Sequence, residues 1–298
     1  MLERPVSRPA TSYAEAVERA RTMMALEGAR VAPNARTAFF DRGERRPWAV
    51  VLLHGLTNHP GQFAQFGSVV SKTGSNVFIP RMPKHGYADR MTVALATLSA
   101  EELLSATNEA LDIACGLGER VAVLGISMGG LLAAYFAHFR EDVASAVPVA
   151  PDFAMLQLPR SVSSALASLF RVLPNMFLWW DPRLRAAQRP KTAYPRFATH
   201  ALMQTIRIGD AVYEEAKLTA PLAKRITTVV NRVDPAVNNE VTQEVVSFWE
   251  ETRTSGIEFI EYRDLPENHD IIDPDNAQAR TELVYPRLIE ALHLLEVL

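Results

Sequence analysis

The sequence has few of the features that cross-link a chain or attach it to a membrane. Its single cysteine, Cys115, excludes a disulfide bond within the chain. No apolar run approaches the roughly eighteen residues that a membrane-spanning helix requires. The first ten residues contain charges and prolines and no apolar core, so they do not resemble a secretory signal. We therefore expect a cytoplasmic protein without an integral membrane segment.

An excess of charge of one sign is also lacking. The 298 residues include 31 basic and 34 acidic side chains, and the net charge of −3 gives no general attraction to nucleic acid or anionic lipid. We find no zinc-ligand spacing, phosphate-binding loop or Rossmann fingerprint, so we expect no metal and no organic cofactor. The length of 298 residues fits one large domain with an insertion, or two small domains, and a hydrophobic content of 48% fits a soluble globular protein with a sizeable core. The oligomeric state stays open between a monomer and a homodimer.

The most informative stretch is residues 121–130. An apolar run typical of a β-strand ends at a Gly-x-Ser-x-Gly sequence, and the apolar residues 131–137 are typical of a buried helix. A serine on such a turn has its hydroxyl pushed outward, while Gly125 and Gly129 leave room for the neighbouring elements. The N–H groups at the helix start can stabilise a developing negative charge. Ser127 is therefore a candidate nucleophile; the alternative is a serine that only caps the helix.

Strands and helices alternate along most of the chain. Strands are predicted at residues 37–41, 48–54, 76–82, 121–126, 143–151, 225–231 and 257–263, and helices at 11–27, 62–74, 99–114, 131–137, 239–254 and 276–298. Ser99 and Glu102 have the spacing of a capping box at the start of one helix. This alternation predicts a mostly parallel sheet covered by helices on both faces.

The alternation stops between residues 152 and 205. This segment contains aromatic residues and several prolines, so we predict a helical cap over the pocket, with a core formed by residues 1–151 and 206–298. The cap has seven basic and two acidic residues, a balance of +5, which leaves −8 for the rest of the chain. We favour an electrostatic attraction between cap and core; the alternative is a basic cap that draws anionic or amphiphilic substrates.

Asp234 and His269 each follow the end of a predicted strand, as Ser127 does. Because functional loops gather at the carboxyl ends of parallel strands, we expect the three side chains to lie close together. A serine needs a base to take its proton, and the base needs a third group to fix its tautomer. The order Ser, Asp, His is the one expected for such a sheet. Competing residues are Asp210, Asp264 and Asp270 for the acid, with His54, His59 and His85 in loops near the pocket.

With these residues the chain resembles the α/β-hydrolase family, closest to its carboxylesterase and monoacylglycerol-lipase branch, from about Trp48 to the C-terminus. The resemblance implies that residues 54–57 form the oxyanion loop and residues 125–130 the nucleophile elbow. It implies that the N–H groups of Leu56 and Met128 bind the oxyanion. One position departs from the branch: Asn268 precedes the histidine, where a small residue is usual.

We therefore expect a serine carboxylester hydrolase with a Ser127–His269–Asp234 triad. Its substrate would be a small molecule, a short- to medium-chain acyl ester or an ester like a monoacylglycerol, cleaved through an acyl-enzyme. The residues expected to contact this substrate are His54, Gly55, Thr57, Trp179 and Trp180. C–C bond hydrolysis and acyl transfer use the same triad, and a non-catalytic ligand-binding receptor can use the same fold. These functions remain alternatives.

Overall fold

The computed structural model describes residues 2–154, 160–162, 165, 173–186 and 193–294. Its strands are β1 (Ala38–Phe40), β2 (Arg46–Leu53), β3 (Asn76–Ile79), β4 (Gly118–Ile126), β5 (Val143–Val149), β6 (Phe177–Trp179), β7 (Arg196–Ala198), β8 (Arg225–Asn231) and β9 (Ile257–Tyr262). A seven-stranded sheet has the order β1-β3-β2-β4-β5-β8-β9. Strand β1 is antiparallel to β3, and the other neighbouring pairs are parallel. The predicted mostly parallel sheet is confirmed.

Helices cover both faces of this sheet. They are α1 (Tyr13–Ala25), α2 (Ala64–Ser71), α3 (Ala100–Leu117), α4 (Met128–Phe139), α5 (Thr199–Ala216), α6 (Asn239–Thr252) and α7 (Thr281–Ala291). The predicted capping box at the start of α3 is confirmed, with reciprocal hydrogen bonds between Ser99 and Glu102. None of the helices in the described ranges is long and apolar enough to span a bilayer.

The central strands are buried because their side chains alternate between two hydrophobic cores. In β2, Val51 and Leu53 join the core that contains α3, α4 and α6. Val50 and Leu52 point into the other core, which contains α2 and α7. Both faces of the strand are apolar, as expected for a parallel sheet between two helical layers. This arrangement fixes the carboxyl ends of β4, β8 and β9 at one edge of the sheet.

Several element boundaries differ from the prediction by a few residues, and two of these differences have an identifiable cause. Strand β3 stops at Ile79 rather than residue 82, because Pro80 has no N–H to continue the ladder. Helix α7 starts at Thr281 rather than residue 276. The Asn276 side chain instead donates to the carbonyl of Asp270, 3.0 Å away, which holds this stretch against the neighbouring loop. Residues 295–298 lie outside the described ranges.

The segment predicted as a helical cap, residues 152–205, is described in part. Strands β6 and β7 form a separate antiparallel pair that the sequence did not predict, and α5 runs across residue 205. The predicted helical character of residues 155–159, 163–164, 166–172 and 187–192 lies outside the described residues. The Arg160 guanidinium lies 3.0 Å from the Asp210 carboxylate and 2.8 Å from that of Glu214. These ion pairs join a basic cap residue to acidic residues of α5.

Candidate active site

Ser127 lies on the turn between β4 and α4. Its backbone has φ 58° and ψ −119°, a conformation that residues with a side chain rarely adopt. Close packing imposes this turn: a Cβ on Gly129 would collide with the Leu53 carbonyl, and a Cβ on Gly125 with the Gly129 carbonyl. The structure describes every residue of α4, and the Ser127 side chain makes no capping hydrogen bond to this helix. The alternative that this serine only caps the helix is therefore wrong.

The His269 imidazole is hydrogen-bonded to the Asp234 carboxylate. The distance between Nδ1 of His269 and Oδ2 of Asp234 is 2.8 Å. The other oxygen of Asp234 accepts hydrogen bonds from the N–H groups of Ala236, at 2.8 Å, and Val237, at 3.3 Å. Because an ionised carboxylate only accepts, Nδ1 of His269 carries the proton and Nε2 keeps a free lone pair. The ring therefore has the tautomer of a general base at Nε2.

This pair sets the protonation behaviour of the histidine. Burial opposes charging of the imidazole, but the charge and the hydrogen bond of Asp234 outweigh it. Asp270 adds a smaller effect in the same direction. The pKa of His269 is consequently raised above its ordinary value of 6.5. About a quarter of the side chain, 25%, remains exposed, so the ring is accessible from the site.

Asn268, the position that departs from the branch, stabilises the histidine loop. Its side-chain amide donates to the Asp270 carbonyl at 2.6 Å, and its side-chain oxygen accepts from Asn276 at 2.9 Å. Its backbone carbonyl accepts from the Asn231 amide at 2.8 Å. A small residue could not make the two side-chain contacts. The departure thus supplies two polar contacts to residues that follow His269, Asp270 and Asn276.

The loop of residues 54–57 is fixed by a buried histidine. His54 has no exposed surface, its Nε2 accepts from the Met82 N–H at 3.1 Å, and its Nδ1 donates to the Gly55 carbonyl at 2.9 Å. These contacts require the neutral ring. Burial and the nearby His85 keep the pKa of His54 well below its ordinary value. Both nitrogens are thus engaged within the protein, which makes His54 a support for the loop.

Gln62 connects this loop to the histidine loop. Its side-chain oxygen accepts from the Gly55 N–H at 2.9 Å, and its side-chain nitrogen donates to the Asp270 carboxylate at 2.8 Å. A Cβ built on Gly55 would lie 3.5 Å from Cβ of Ser127, so the loop passes beside the candidate nucleophile. Met128 is the first residue of α4, where backbone N–H groups lack partners within the helix. The loop of residues 54–57 and the start of α4 therefore both lie beside Ser127.

Comparison with known proteins agrees with this architecture. Residues 50–270 match the model of the alpha/beta hydrolase family. The chain belongs to this family. The resemblance that the sequence motifs indicated is thereby confirmed.

The relatives of this hydrolase include lipases. A thermostable monoacylglycerol lipase from Bacillus sp. (strain H-257) is 28% identical over 108 residues, which are 36% of this chain and 41% of that lipase. The match thus spans about two fifths of the curated relative. Among solved structures, the Paleococcus ferrophilus monoacylglycerol lipase has a TM-score of 0.64 and 21% identity, covering 86% of this chain and 98% of its own. A metagenome-derived lipolytic enzyme has a TM-score of 0.67 and 18% identity, and the match covers 88% of this chain and 99% of that enzyme. At these identities the structures show the fold alone.

The hydrolase has a further acidic residue at the site, Asp152, which the sequence analysis missed. Asp152 is the third residue after the end of β5 and is buried, and its N–H donates to the Ser127 carbonyl at 3.3 Å. Burial raises the pKa of its carboxyl group, against the opposing effects of Thr205 and His269. The signal that selected Asp234 and His269, a polar residue after a strand end, could have found Asp152. Gln62 had no comparable signal, since it belongs to no motif.

The remaining candidates have other contacts. Asp210 pairs with Arg160, Asp270 accepts from Gln62, and Asp264 is exposed. Among the residues expected to contact substrate, Thr57 is hydrogen-bonded to Trp180 at 2.9 Å. Trp179 has the Arg185 guanidinium 5.7 Å from its ring centre. The structure therefore brings Trp180 to the loop of residues 54–57.

Proposed function

We propose that this hydrolase cleaves carboxylic esters with Ser127, His269 and Asp234 as its triad. The observation that carries the proposal is the 2.8 Å hydrogen bond between His269 and Asp234, which leaves Nε2 free as a base. The strained turn at Ser127 and the lipases among the relatives support it. The ordered loop beside the serine is a further support, because ester hydrolysis requires fixed donors for an oxyanion.

In the proposed mechanism, the Ser127 hydroxyl attacks the ester carbonyl carbon while Nε2 of His269 takes its proton. Asp234 keeps the imidazole in its tautomer and stabilises the imidazolium. The backbone N–H groups of Leu56 and Met128 bind the tetrahedral oxyanion. Collapse breaks the bond to the alcohol, which leaves with the proton from His269. Water, deprotonated by the same nitrogen, then releases the carboxylic acid from the acyl-enzyme.

We propose a short- to medium-chain acyl ester, or an ester like a monoacylglycerol, as the substrate. The names of the monoacylglycerol lipases among the relatives support the second class. Residues 152–205 form the cap over the site in this proposal, and residues 1–151 and 206–298 form the core. Trp179 and Trp180 belong to the cap, so they are placed to limit the acyl chain. The proposed location is the cytoplasm, where the single thiol of Cys115 would stay reduced.

The test is hydrolysis of p-nitrophenyl acetate, butyrate and longer esters by the wild type and by Ser127→Ala, Asp234→Asn and His269→Ala. We expect each variant to lose about 10⁴-fold in kcat while circular dichroism shows an unchanged fold. Ser105→Ala and Asp264→Asn change exposed residues of the same two types and serve as matched controls.

Two results would contradict the proposal. A folded wild type without turnover of any small ester would favour a binding protein, or an acyltransferase that needs a specific acceptor. Loss of activity in Asp264→Asn, with retention in Asp234→Asn, would assign the acid elsewhere. Activity that peaks at long chains would contradict only the proposed chain length.

A further inference from the structure

Thr57 has an unusual backbone conformation directly beside a proposed oxyanion donor. It follows Leu56 and has φ 69°, in the left-handed region that disfavours residues with a branched Cβ. Such a conformation persists where surrounding contacts determine it. The orientation of the Leu56 N–H depends on the peptide planes of this loop. Because Thr57 directly follows Leu56, contacts that hold Thr57 restrict the loop that carries this donor.

Two contacts from the cap hold Thr57. The indole Nε1 of Trp180 donates to the Thr57 hydroxyl oxygen at 2.9 Å. The backbone N–H of Tyr194 donates to the Thr57 carbonyl at 2.9 Å. One contact comes from the end of β6 and the other from the stretch just before β7. The cap thus contacts both the side chain and the main chain of a single oxyanion-loop residue.

Trp180 is itself fixed within the strand pair. Its N–H donates to the Pro195 carbonyl at 3.2 Å, and its ring packs on Phe197 with the ring centres 4.4 Å apart. The side chain is nevertheless 43% exposed, which is unusual for a large aromatic residue. An indole has a single hydrogen-bond donor, and here that donor is directed at Thr57. Burial alone does not account for this orientation.

We infer that Trp180 is a positioning residue, whose hydrogen bond to Thr57 keeps the oxyanion loop in its active conformation when the β6–β7 pair is seated. The inference rests on the proposed ester hydrolysis. It gives Thr57 a role in the geometry of the loop rather than in direct contact with substrate. It also makes the loop geometry depend on the β6–β7 pair, which carries the donor to Thr57.

A double-mutant cycle tests this coupling. Trp180→Phe removes the indole N–H and keeps a ring against Phe197, and Thr57→Val removes the hydroxyl and keeps the branched shape. With p-nitrophenyl butyrate we expect each variant to lower kcat about fivefold to tenfold, with KM within about twofold of wild type. The double variant should be no slower than the worse single variant, because both changes remove one hydrogen bond. Thr57→Ser restores the acceptor and should recover most of the kcat lost in Thr57→Val.

Three results would overturn the inference. Multiplicative losses in the double variant would show that the two side chains act independently. A Thr57→Ser variant as slow as Thr57→Val would assign the effect to the missing methyl group. A raised KM with unchanged kcat would place either side chain in substrate binding, since only a ground-state contact would then be lost.

A measurement without substrate separates this inference from the proposed function. In protein labelled with ¹⁵N-tryptophan, the indole resonance of Trp180 is assigned by its loss in Trp180→Phe. We expect this N–H to shift upfield and to exchange faster with solvent in Thr57→Val, but not in Thr57→Ser. An unchanged resonance in Thr57→Val would refute the hydrogen bond. A wild type without ester turnover would instead contradict the proposed function, and the indole measurement would still stand.

Discussion

At the residue scale, the two oxygens of the Asp234 carboxylate bind different partners. One accepts from His269, and the other accepts from the N–H groups of residues 236 and 237. An asparagine at this position would keep its oxygen on the backbone donors, so its NH₂ group would face Nδ1 of His269. The imidazole would then carry its proton on Nε2. The orientation of the ring would survive, but its basic lone pair would lie at Nδ1 instead of Nε2, so the proposed base would be lost.

The first prediction concerns pH. Because the base must be neutral and its pKa is raised above 6.5, kcat/KM should fall as the pH decreases through an apparent pKa above 6.5. Asp234→Asn removes the charge that raises the pKa of His269, so the decrease of kcat/KM should occur at lower pH than in the wild type. The maximal kcat/KM of this variant should be about 10⁴-fold lower. The measurement is kcat/KM for p-nitrophenyl butyrate between about pH 5 and 9. An acid limb at the same pH in both proteins would exclude Asp234 as the partner of the base.

The second prediction concerns the protonation of Asp152. The Thr205 hydroxyl has one proton but lies 3.0 Å from an Asp152 oxygen and 2.7 Å from the Leu202 carbonyl oxygen. Both contacts are satisfied at once if Asp152 carries a proton and donates it to Thr205. Burial favours the same neutral form by raising the pKa of this carboxyl group. The two contacts of Thr205 thus predict a protonated Asp152, whereas an ionised Asp152 would raise the pKa of His269.

Asp152→Asn tests this protonation state, because an amide is also neutral and can also donate to Thr205. We expect kcat/KM within about threefold of wild type and an unchanged acid limb, with Asp234 and Asp270 still facing His269. Asp152→Ala removes the group that is hydrogen-bonded to the Thr205 hydroxyl. The free energy of unfolding, measured by urea denaturation, should then fall by about 1–3 kcal/mol. A shift of the acid limb to lower pH in Asp152→Asn would show that the wild-type carboxylate is ionised.

The residues of the site differ in how far the sequence could predict them. Ser127, Asp234 and His269 each follow a strand, so local patterns and the rules of parallel sheets suffice to place them. Gln62 could not be found this way, because its role depends on Asp270, 208 positions further along the chain. Trp180 was expected to contact substrate. Its hydrogen bond to Thr57 could not be predicted, because it depends on a strand pair that the cap sequence does not reveal.

At the scale of elements, boundaries follow from single residues with specific chemistry. Pro80 ends β3, and the side chain of Asn276 delays the start of α7 by binding the histidine loop. The proline effect is visible in the sequence, whereas the asparagine effect depends on a tertiary contact. The start of α3 could be predicted because a capping box is local: both of its residues lie within one turn.

The third prediction concerns this helix start. Ser99 accepts from the Glu102 N–H at 3.1 Å, and Glu102 also pairs with Lys84 at 2.6 Å. Ser99→Ala should lower the free energy of unfolding by about 1 kcal/mol, measured by urea denaturation, with little change in turnover. Ser105→Ala, at an exposed position inside the same helix, should be neutral or slightly stabilising, because alanine has the higher helix propensity. Equal effects of the two variants would contradict the role of the cap.

At the scale of the whole molecule, the N-terminal segment is built onto the hydrolase core although it lies outside the family match. Helix α1 packs on α3 through buried residues that include Ala16, Val17 and Ala20. The chain before it is held by Asp112 of α3. The carboxylate accepts from the Arg8 N–H at 2.8 Å, and the backbone carbonyl of Asp112 accepts from the Ala10 N–H at 2.9 Å. Asp112 thus joins the start of the chain to the core, beside Asn108, which is hydrogen-bonded to Val6 and Ser7.

The fourth prediction concerns this junction. Asp112 is 1% exposed, and its carboxylate also binds the buried guanidinium of Arg140 at 2.8 Å. Asp112→Ala should lower the free energy of unfolding by about 3 kcal/mol. This is the low end of the range for breaking a buried ion pair, because Arg140 keeps Asp142 as a partner. Urea unfolding would measure the loss, and limited proteolysis should cut the first ten residues faster in this variant.

Glu109→Ala is the matched control, since its side chain lies one turn away on α3, is 43% exposed and pairs with Arg19. An exposed ion pair contributes less than about 1 kcal/mol, so this variant should unfold close to wild type and keep its N-terminus protected. If both variants lost the same stability, Arg19 rather than Asp112 would attach the segment. If Asp112→Ala were destabilised without faster cleavage, the ion pair would serve the core, and other contacts such as those of Asn108 with Val6 and Ser7 would hold the N-terminal residues.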